Sequence, residues 1–354
     1  MVGGLETLSY HLTTGFPGDK QIVALGRLQR HLLWFLPYAT ARVLLTGWRY
    51  DVIHVGDPML AVVAKVARVV WRRKVVLGVH GLDLVYGHRL YQWYLRRFLT
   101  ADTFVAISNA TLRIAEERGL GPLEVITIGV SAEFFRIRRN PDADATVAAA
   151  RRGRPVLITT GRLIPRKGVA WFIENVLPRL DALYVIVGNG RDREHIRQVA
   201  RDAGVADRTL MFTEADQEQL FSLLSCADVF VMPNIPIPND VEGFGIVAIE
   251  AAASGLPVVA ARLEGIPDAV VDGETGVLVE PKNAQAFADA IGKLTADAAF
   301  RTEFGERARR CVQEKNDWTA IIGRYEKLFE KLIGASSPEL ARSSEESPAR
   351  QPPS

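Results

Sequence analysis

Pro155-Val156-Leu157-Ile158-Thr159-Thr160-Gly161-Arg162-Leu163-Ile164-Pro165-Arg166-Lys167-Gly168 reads as a buried β-strand that runs into a glycine-bounded basic loop, with a helix beginning near Val169. An uninterrupted apolar run of strand length fits a parallel strand covered on both faces. Glycines at a strand-to-helix turn let the backbone approach a ligand closely, and the following helix N-terminus favours an anion. Arg162 and Lys167 add two cations to the same loop, which suits a diphosphate leaving group. An ordinary basic surface loop is the plainer reading of these residues taken alone.

The same alternation extends in both directions. Downstream, Leu183 to Val187, Asp228 to Met232 and Pro257 to Ala260 read as strands, each followed by Gly or Pro punctuation and a helix. Upstream, Val52 to Val55, Val75 to Val79, Thr103 to Ile107 and Glu124 to Ile128 form a second series, with helical patterns over 58–71, 87–100 and 109–118. Two βαβ series predict an α/β protein of two Rossmann-like, doubly wound domains facing a cleft at the carboxyl ends of their strands. The boundaries expected are 1–138 for the N-terminal domain, 139–153 for a linker, 154–312 for the C-terminal domain, 313–334 for a helix crossing back, and 335–354 for a disordered tail.

Composition narrows the class. With 354 residues, 48% of them apolar, the chain has material for two cores. The run His31 to Trp48 is the longest membrane-span candidate, but Pro37, Arg42 and Gly47 interrupt it. No basic leader precedes the first residues, and the two cysteines imply no disulfide framework, so a cytoplasmic protein is expected. The net charge of +2 conceals a division: residues 1–140 hold 18 Lys and Arg against 10 Asp and Glu. That half is expected to face an anionic partner, such as the inner face of a membrane, or else simply to be solvated. The segment Arg89 to Phe98 mixes aromatics with arginine as interfacial helices do, although a helix packed on the sheet with snorkelling arginines reads the same way.

A second chemical segment is Glu242-Gly243-Phe244-Gly245-Ile246-Val247-Ala248-Ile249-Glu250. Two glycines mark a tight turn into a helix, with Glu242 before it and Glu250 about two turns inside. At about 100° per residue, eight residues separate the two acids by roughly 80°, on neighbouring faces. Glu250 stands among Ala, Ile and Ser, an expensive place for an unpartnered charge. Sugar hydroxyls are suitable partners; an N-cap acid and a salt-bridged helix acid are the bland alternative.

With these segments in view the chain resembles the family 4, or group 1, retaining glycosyltransferases of the GT-B fold. Gly3-Gly4-Leu5-Glu6, His80-Gly81-Leu82-Asp83, Gly161 to Gly168, Val187-Gly188-Asn189-Gly190, Glu242 to Glu250, Gly255 to Val259, Gly265 to Asp268 and Asp272 to Gly276 carry the resemblance, in order, over roughly residues 1–333. It implies transfer of a sugar from a UDP- or GDP-sugar to a glycan or lipid-linked acceptor, with retention by front-face attack. Arg162 and Lys167 would bind the donor diphosphate. Glu250 would hold the ribose hydroxyls and Glu242 the donor sugar, with the backbone amides of Gly243, Phe244, Gly245, Ile246 and Val247 supporting sugar and phosphate. His80 would face the donor sugar; Gly3, Gly4 and Gly188 would line the donor site; Asp83 is the weaker candidate near the acceptor. The context Asp240 to Gly245 resembles mannosyltransferases, which points to GDP-mannose.

Other signals are discounted. Gly188-Asn189-Gly190 opens like a dinucleotide fingerprint, but Arg193 occupies the third glycine position, which disfavours a nicotinamide oxidoreductase. Asp142-Ala143-Asp144 lies in the expected linker, and no cluster has metal-ligand spacing, so neither metal nor cofactor is expected, nor nucleic acid. An epimerase of the same fold, a pyridoxal-dependent phosphorylase and a non-catalytic carbohydrate-binding homologue are the remaining rivals. Two departures from the family stand out. Leu263-Glu264-Gly265 replaces the usual paired glycines. The glycine loop also begins at residue 3, with no strand before it, so a truncated N-terminus and a gap in the first sheet are expected.

Overall fold

The computed structural model describes residues 4–24 and 32–334. Its described strands form two parallel sheets. The N-terminal sheet contains β1 (Val52–Val55), β2 (Lys74–Val79), β3 (Thr103–Ala106) and β4 (Leu123–Val125), paired in sequential order. The C-terminal sheet contains β5 (Val156–Thr160), β6 (Leu183–Val187), β7 (Thr209–Phe212), β8 (Val229–Met232), β9 (Val258–Ala261) and β10 (Gly276–Val279), in the order β10-β9-β8-β5-β6-β7.

Burial explains the apolar runs. Every residue of β5, β6, β8 and β9 is buried, because crossover helices cover both faces of a parallel sheet. One face packs Leu157, Tyr184, Ile186, Val229 and Val231 against Phe172, Ile173 and Phe287. The other packs Ile158, Val185, Phe230 and Val258 against the helices that contain Leu224 and Ala252.

Several expectations change. Strands β7 and β10 were missed because they lie at the two sheet edges, where half-exposed residues blur the apolar run. The strand expected over Glu124–Ile128 is shorter and shifted, ending at Val125. The stretch read as a linker over 139–153 contains a helix, Ala145–Arg151, capped by Asp144 and anchored by buried Val147 in the same core as Val156. The expected gap inside the first sheet is not there: the four strands pair without interruption, and β1 and β4 are its two edges among the described residues. The first described helix runs Gly4–Gly15. The tail from residue 335 lies outside the described residues.

The C-terminal helix Trp318–Gly334 returns to the N-terminal domain. Val130 N–H donates to Asn316 O at 2.9 Å, and Asn316 Nδ2 donates to Ile128 O at 3.1 Å. Trp318 stacks on His11 at 4.3 Å, and Tyr325 meets His54 edge-on at 5.6 Å. This helix therefore ties the two domains together behind the cleft.

Candidate functional site

The strand order of the parallel C-terminal sheet reverses between β5 and β8. Chain leaving these neighbouring strands diverges to opposite faces, which opens a crevice at their carboxyl ends. Both motif segments lie there: Gly161 to Gly168 after β5, and Pro233 to Gly245 after β8. Ile235 N–H donates to Arg166 O at 2.9 Å, joining the two loops. A third loop closes the side. Gly188, at φ 146°, lies so near Gly161 that a Cβ would sit 1.9 Å from the Gly161 carbonyl oxygen. Only glycine fits, so Gly188 shapes the floor on which Arg162 and Lys167 are displayed.

The loop cations do not stand alike. Arg162 is exposed, and no ion pair engages it among the described residues. Lys167 Nζ donates to Glu242 Oε2 at 2.5 Å. The same carboxylate oxygen accepts from Arg166 Nη1 and from Asn234 Nδ2, the latter at 3.0 Å. Arg166 is itself buried, and its Nε donates to Asp240 at 2.9 Å. Burial alone would raise the Glu242 carboxyl, but Lys167 and Arg166 overcome it and hold the pKa at about 2. Glu242 is thus an anion locked in place, with Lys167 beside it.

Glu250 behaves in the opposite way. It lies in the helix Ile246–Ala253, entered through Gly245 at φ 94°. Burial pushes its carboxyl up to about 8, with Lys167 pulling weakly the other way. Some exposure of the residue remains. The first N–H groups of this helix, at Ile246 and Val247, have no intrahelical acceptor. Phe244 is 2% exposed with its ring in the core, so it offers the crevice its backbone alone.

The N-terminal domain supplies the facing wall. His80 is buried at the end of β2, and its Nε2 lies 2.8 Å from Gly56 O. A carbonyl can only accept, so Nε2 donates to it, which in the neutral ring leaves Nδ1 as an acceptor. Nδ1 is buried with no partner. Asp83 accepts from His80 N–H through both oxygens, at 3.1 and 3.0 Å, and from Leu84 N–H at 2.9 Å. Burial drives its carboxyl up, against the pull of His80 and these amides. Gly243 meets this wall: a Cβ there would lie 2.4 Å from His80 O. Asn109 Nδ2 also donates to Asp268 Oδ1 across the domains.

Glu242, Lys167, Gly243 and His80 are therefore gathered around one crevice, and Glu250 lies within the electrostatic reach of Lys167. Gly3 lies outside the described residues, and Gly4 opens the helix Gly4–Gly15. Sequence reading gave no role to Arg166, Asn234, Asp240 or Glu264. Glu264 adopts φ 51°, a conformation favouring glycine, and its carboxylate accepts from Glu242 N–H. Its place in a usually paired-glycine segment was the available signal. The pairing of Arg166 with acids more than 70 residues away left none.

Comparison with known proteins shows the family and the fold. The pattern of "Glycosyl transferases group 1" matches residues 142–311, and that of "Glycosyltransferase Family 4" matches residues 2–134. The chain is 34% identical over 286 residues to a GDP-mannose-dependent alpha-(1-6)-phosphatidylinositol monomannoside mannosyltransferase of Mycolicibacterium smegmatis, covering 76% of this chain and 73% of that one. It is 31% identical over 319 residues to a D-inositol 3-phosphate glycosyltransferase of Corynebacterium diphtheriae, covering 79% and 70%. Among solved structures, a sucrose-phosphate synthase from Thermosynechococcus elongatus superposes with a TM-score of 0.74 at 24% identity, covering 94% of this chain and 93% of that one. Anabaena HepE in complex with UDP-glucose superposes at 0.66 and 21% identity, covering 82% of each. These superpositions show the GT-B fold.

Proposed function

Because the chain belongs to the group 1, family 4 glycosyltransferases, we propose that it transfers mannose from GDP-mannose to a lipid-linked or glycan acceptor with retention of configuration, and without a metal. The observation that carries it is the Glu242 carboxylate held by Lys167 and Arg166 at the switch point of the C-terminal sheet. A fixed anion there can accept hydrogen bonds from donor-sugar hydroxyls. Arg162, unpaired on the same loop, supplies charge for a departing diphosphate.

Glu250 supports the nucleotide assignment, since a carboxyl pushed up by burial and without a side-chain partner among the described residues suits a ribose diol better than a structural role. The unpartnered His80 Nδ1 supports a sugar hydroxyl as its partner on the facing wall. Neither carboxyl is placed as an obvious covalent nucleophile: the Oε2 of Glu242 is held by two cations and an amide, and burial pushes the Glu250 carboxyl up to about 8. Front-face attack follows, in which the leaving phosphate takes the acceptor proton and the protein contributes positioning and charge. The choice of GDP-mannose and of a lipid-linked acceptor draws on what the mycobacterial relative's name states of that protein.

Calorimetric titration with GDP-, UDP- and ADP-sugars, followed by transfer assays, tests the proposal. Preference for GDP-mannose with an α-linked product supports it. Preference for a UDP-sugar moves the donor, an inverted product overturns the mechanism, and isomerisation of donor alone would make the protein an epimerase.

A further inference from the structure

The helix Leu32–Thr46 is apolar on both sides. Phe35 and Ala39 are buried against the helix Ala61–Trp71, whereas Trp34, Tyr38, Ala41, Leu45 and Trp48 recur at helical spacing on the opposite, exposed face. Trp34 is 80% exposed and Leu45 71%. A helix apolar all round calls for a second apolar surface beyond the core it already touches.

This face continues sideways. Trp71 Nε1 donates to Val43 O at 3.0 Å, locking Ala61–Trp71 beside the first helix. Tyr94 OH donates to Met59 O at 2.8 Å, and Lys65 Nζ to Arg97 O at 2.8 Å, locking the helix Arg89–Phe98 on the other side. The three form one layer on the N-terminal domain. Leu90 and Trp93 extend its exposed apolar surface, at 72% and 59% exposure. On the C-terminal domain, among the described residues, no large apolar side chain is so exposed; Phe300, at 44%, is the extreme there before the returning helix.

The charge on the layer has one sign. No Asp or Glu occurs between Asp19 and Asp51, or within Ala61–Trp71 or Arg89–Phe98. Arg49, Arg72, Arg89, Arg96 and Arg97 are all exposed. Exposed Trp and Tyr among arginines match a bilayer interface, where indoles sit at headgroup depth and guanidinium groups meet anionic lipid. A two-fold contact between copies would instead oppose arginine with arginine, at a cost in like-charge repulsion.

We propose that the outer face of this three-helix layer is a docking surface for an anionic lipid bilayer. It lies outside the donor crevice and stands whether or not the mannosyl-transfer reading holds. Gln92 Nε2, on the Arg89–Phe98 helix, donates to Leu84 O at 3.0 Å, which ties this helix to the short segment Leu82–Val85 that carries Asp83. A lipid-borne acceptor would then reach the crevice from the membrane side.

Vesicle flotation of the full chain tests this, with phosphatidylcholine alone and with phosphatidylglycerol added. The chain should float with the anionic vesicles and on the order of tenfold less with the neutral ones or at high salt. Trp34→Ser with Trp93→Ser should reduce partition on the order of tenfold or more, as should Arg89→Glu with Arg97→Glu. Nucleotide affinity by calorimetry should stay unchanged in both, since none of these residues lines the crevice. Absence of flotation on anionic vesicles overturns the proposal, as does wild-type flotation of both double variants. A dimer in sedimentation that Trp34→Ser dissolves would also overturn it, assigning the face to a second copy.

Discussion

Glu250 should couple nucleotide binding to proton release. Its carboxyl lies at about 8 in the ligand-free protein because burial outweighs the pull of Lys167. At pH 7 it is therefore about nine-tenths protonated, at a cost of about 1.4 kcal/mol to ionise. A ribose diol donates two hydrogen bonds, and a carboxylate accepts both better than a carboxylic acid. If the bound state requires the anion, affinity for a nucleoside diphosphate should rise roughly tenfold from pH 6 to 7, about fivefold more to pH 8, then level off. Calorimetry at pH 7 in buffers of different ionisation enthalpy should detect close to one proton released. The nucleotide's own terminal phosphate titrates near about 6, so Glu250→Gln provides the baseline: its binding should be weaker at pH 8 and lack the higher-pH rise. The sign for stability is opposite. The folded pKa is raised, so the native state holds a proton that the unfolded chain gives up, and this contribution is lost as pH rises from about 4.5 to about 8. Equal pH profiles for wild type and Glu250→Gln would refute the reasoning.

Other perturbations follow from the same geometry. Arg162→Ala should keep its melting temperature, being exposed and unpaired, yet lose at least about tenfold in kcat, or about 1.4 kcal/mol; unchanged turnover removes it from leaving-group stabilisation. Lys167→Ala should lose as much and also raise the Glu242 pKa, which NMR titration of the carboxyl would read. Arg166→Met should destabilise the C-terminal domain by about 3–5 kcal/mol, since it strips buried Glu242 and Asp240 of a partner; denaturant melts measure this. Because the Glu242 pKa is depressed to about 2, its share of stability is present above about 4.5 and lost as pH falls through 2, and Arg166→Met should flatten that acid limb. Gly243→Ala should cost about 1–3 kcal/mol through its clash with His80 O and reduce turnover by spoiling closure of the domains; wild-type kinetics would show that the contact is not part of the active arrangement. Transfer should survive EDTA, and rescue of a chelated enzyme by manganese would sink the metal-free mechanism.

How much of this was legible without coordinates depends on the range of the interaction. The strands at the centre of each sheet announced themselves, because Val156–Thr160 and Leu183–Val187 are buried on both faces and every position must be apolar or small. Edge strands Thr209–Phe212 and Gly276–Val279 did not, since one side meets solvent and the pattern loses contrast. The helix at Ala145–Arg151 looked like linker because alanine and arginine suit either state; docking of Val147 decides it.

The sequence by itself determined the chemical vocabulary of the site: glycines where backbone must approach, cations after β5, two acids eight residues apart on one helix entry. These are local properties, set by chain geometry over a few residues. What tertiary structure alone decided is the protonation of the two acids and their partners. Glu242, in the loop before the helix Ile246–Ala253, and Glu250, inside it, are the same residue type eight positions apart, yet one is held at about 2 and the other at about 8. The difference comes from Arg166 and Lys167, more than 70 residues earlier in the chain, which reach Glu242 and leave Glu250 to a nearly uncompensated desolvation. Dielectric and charge at a point are sums over everything folded around it, and no window of sequence contains that sum.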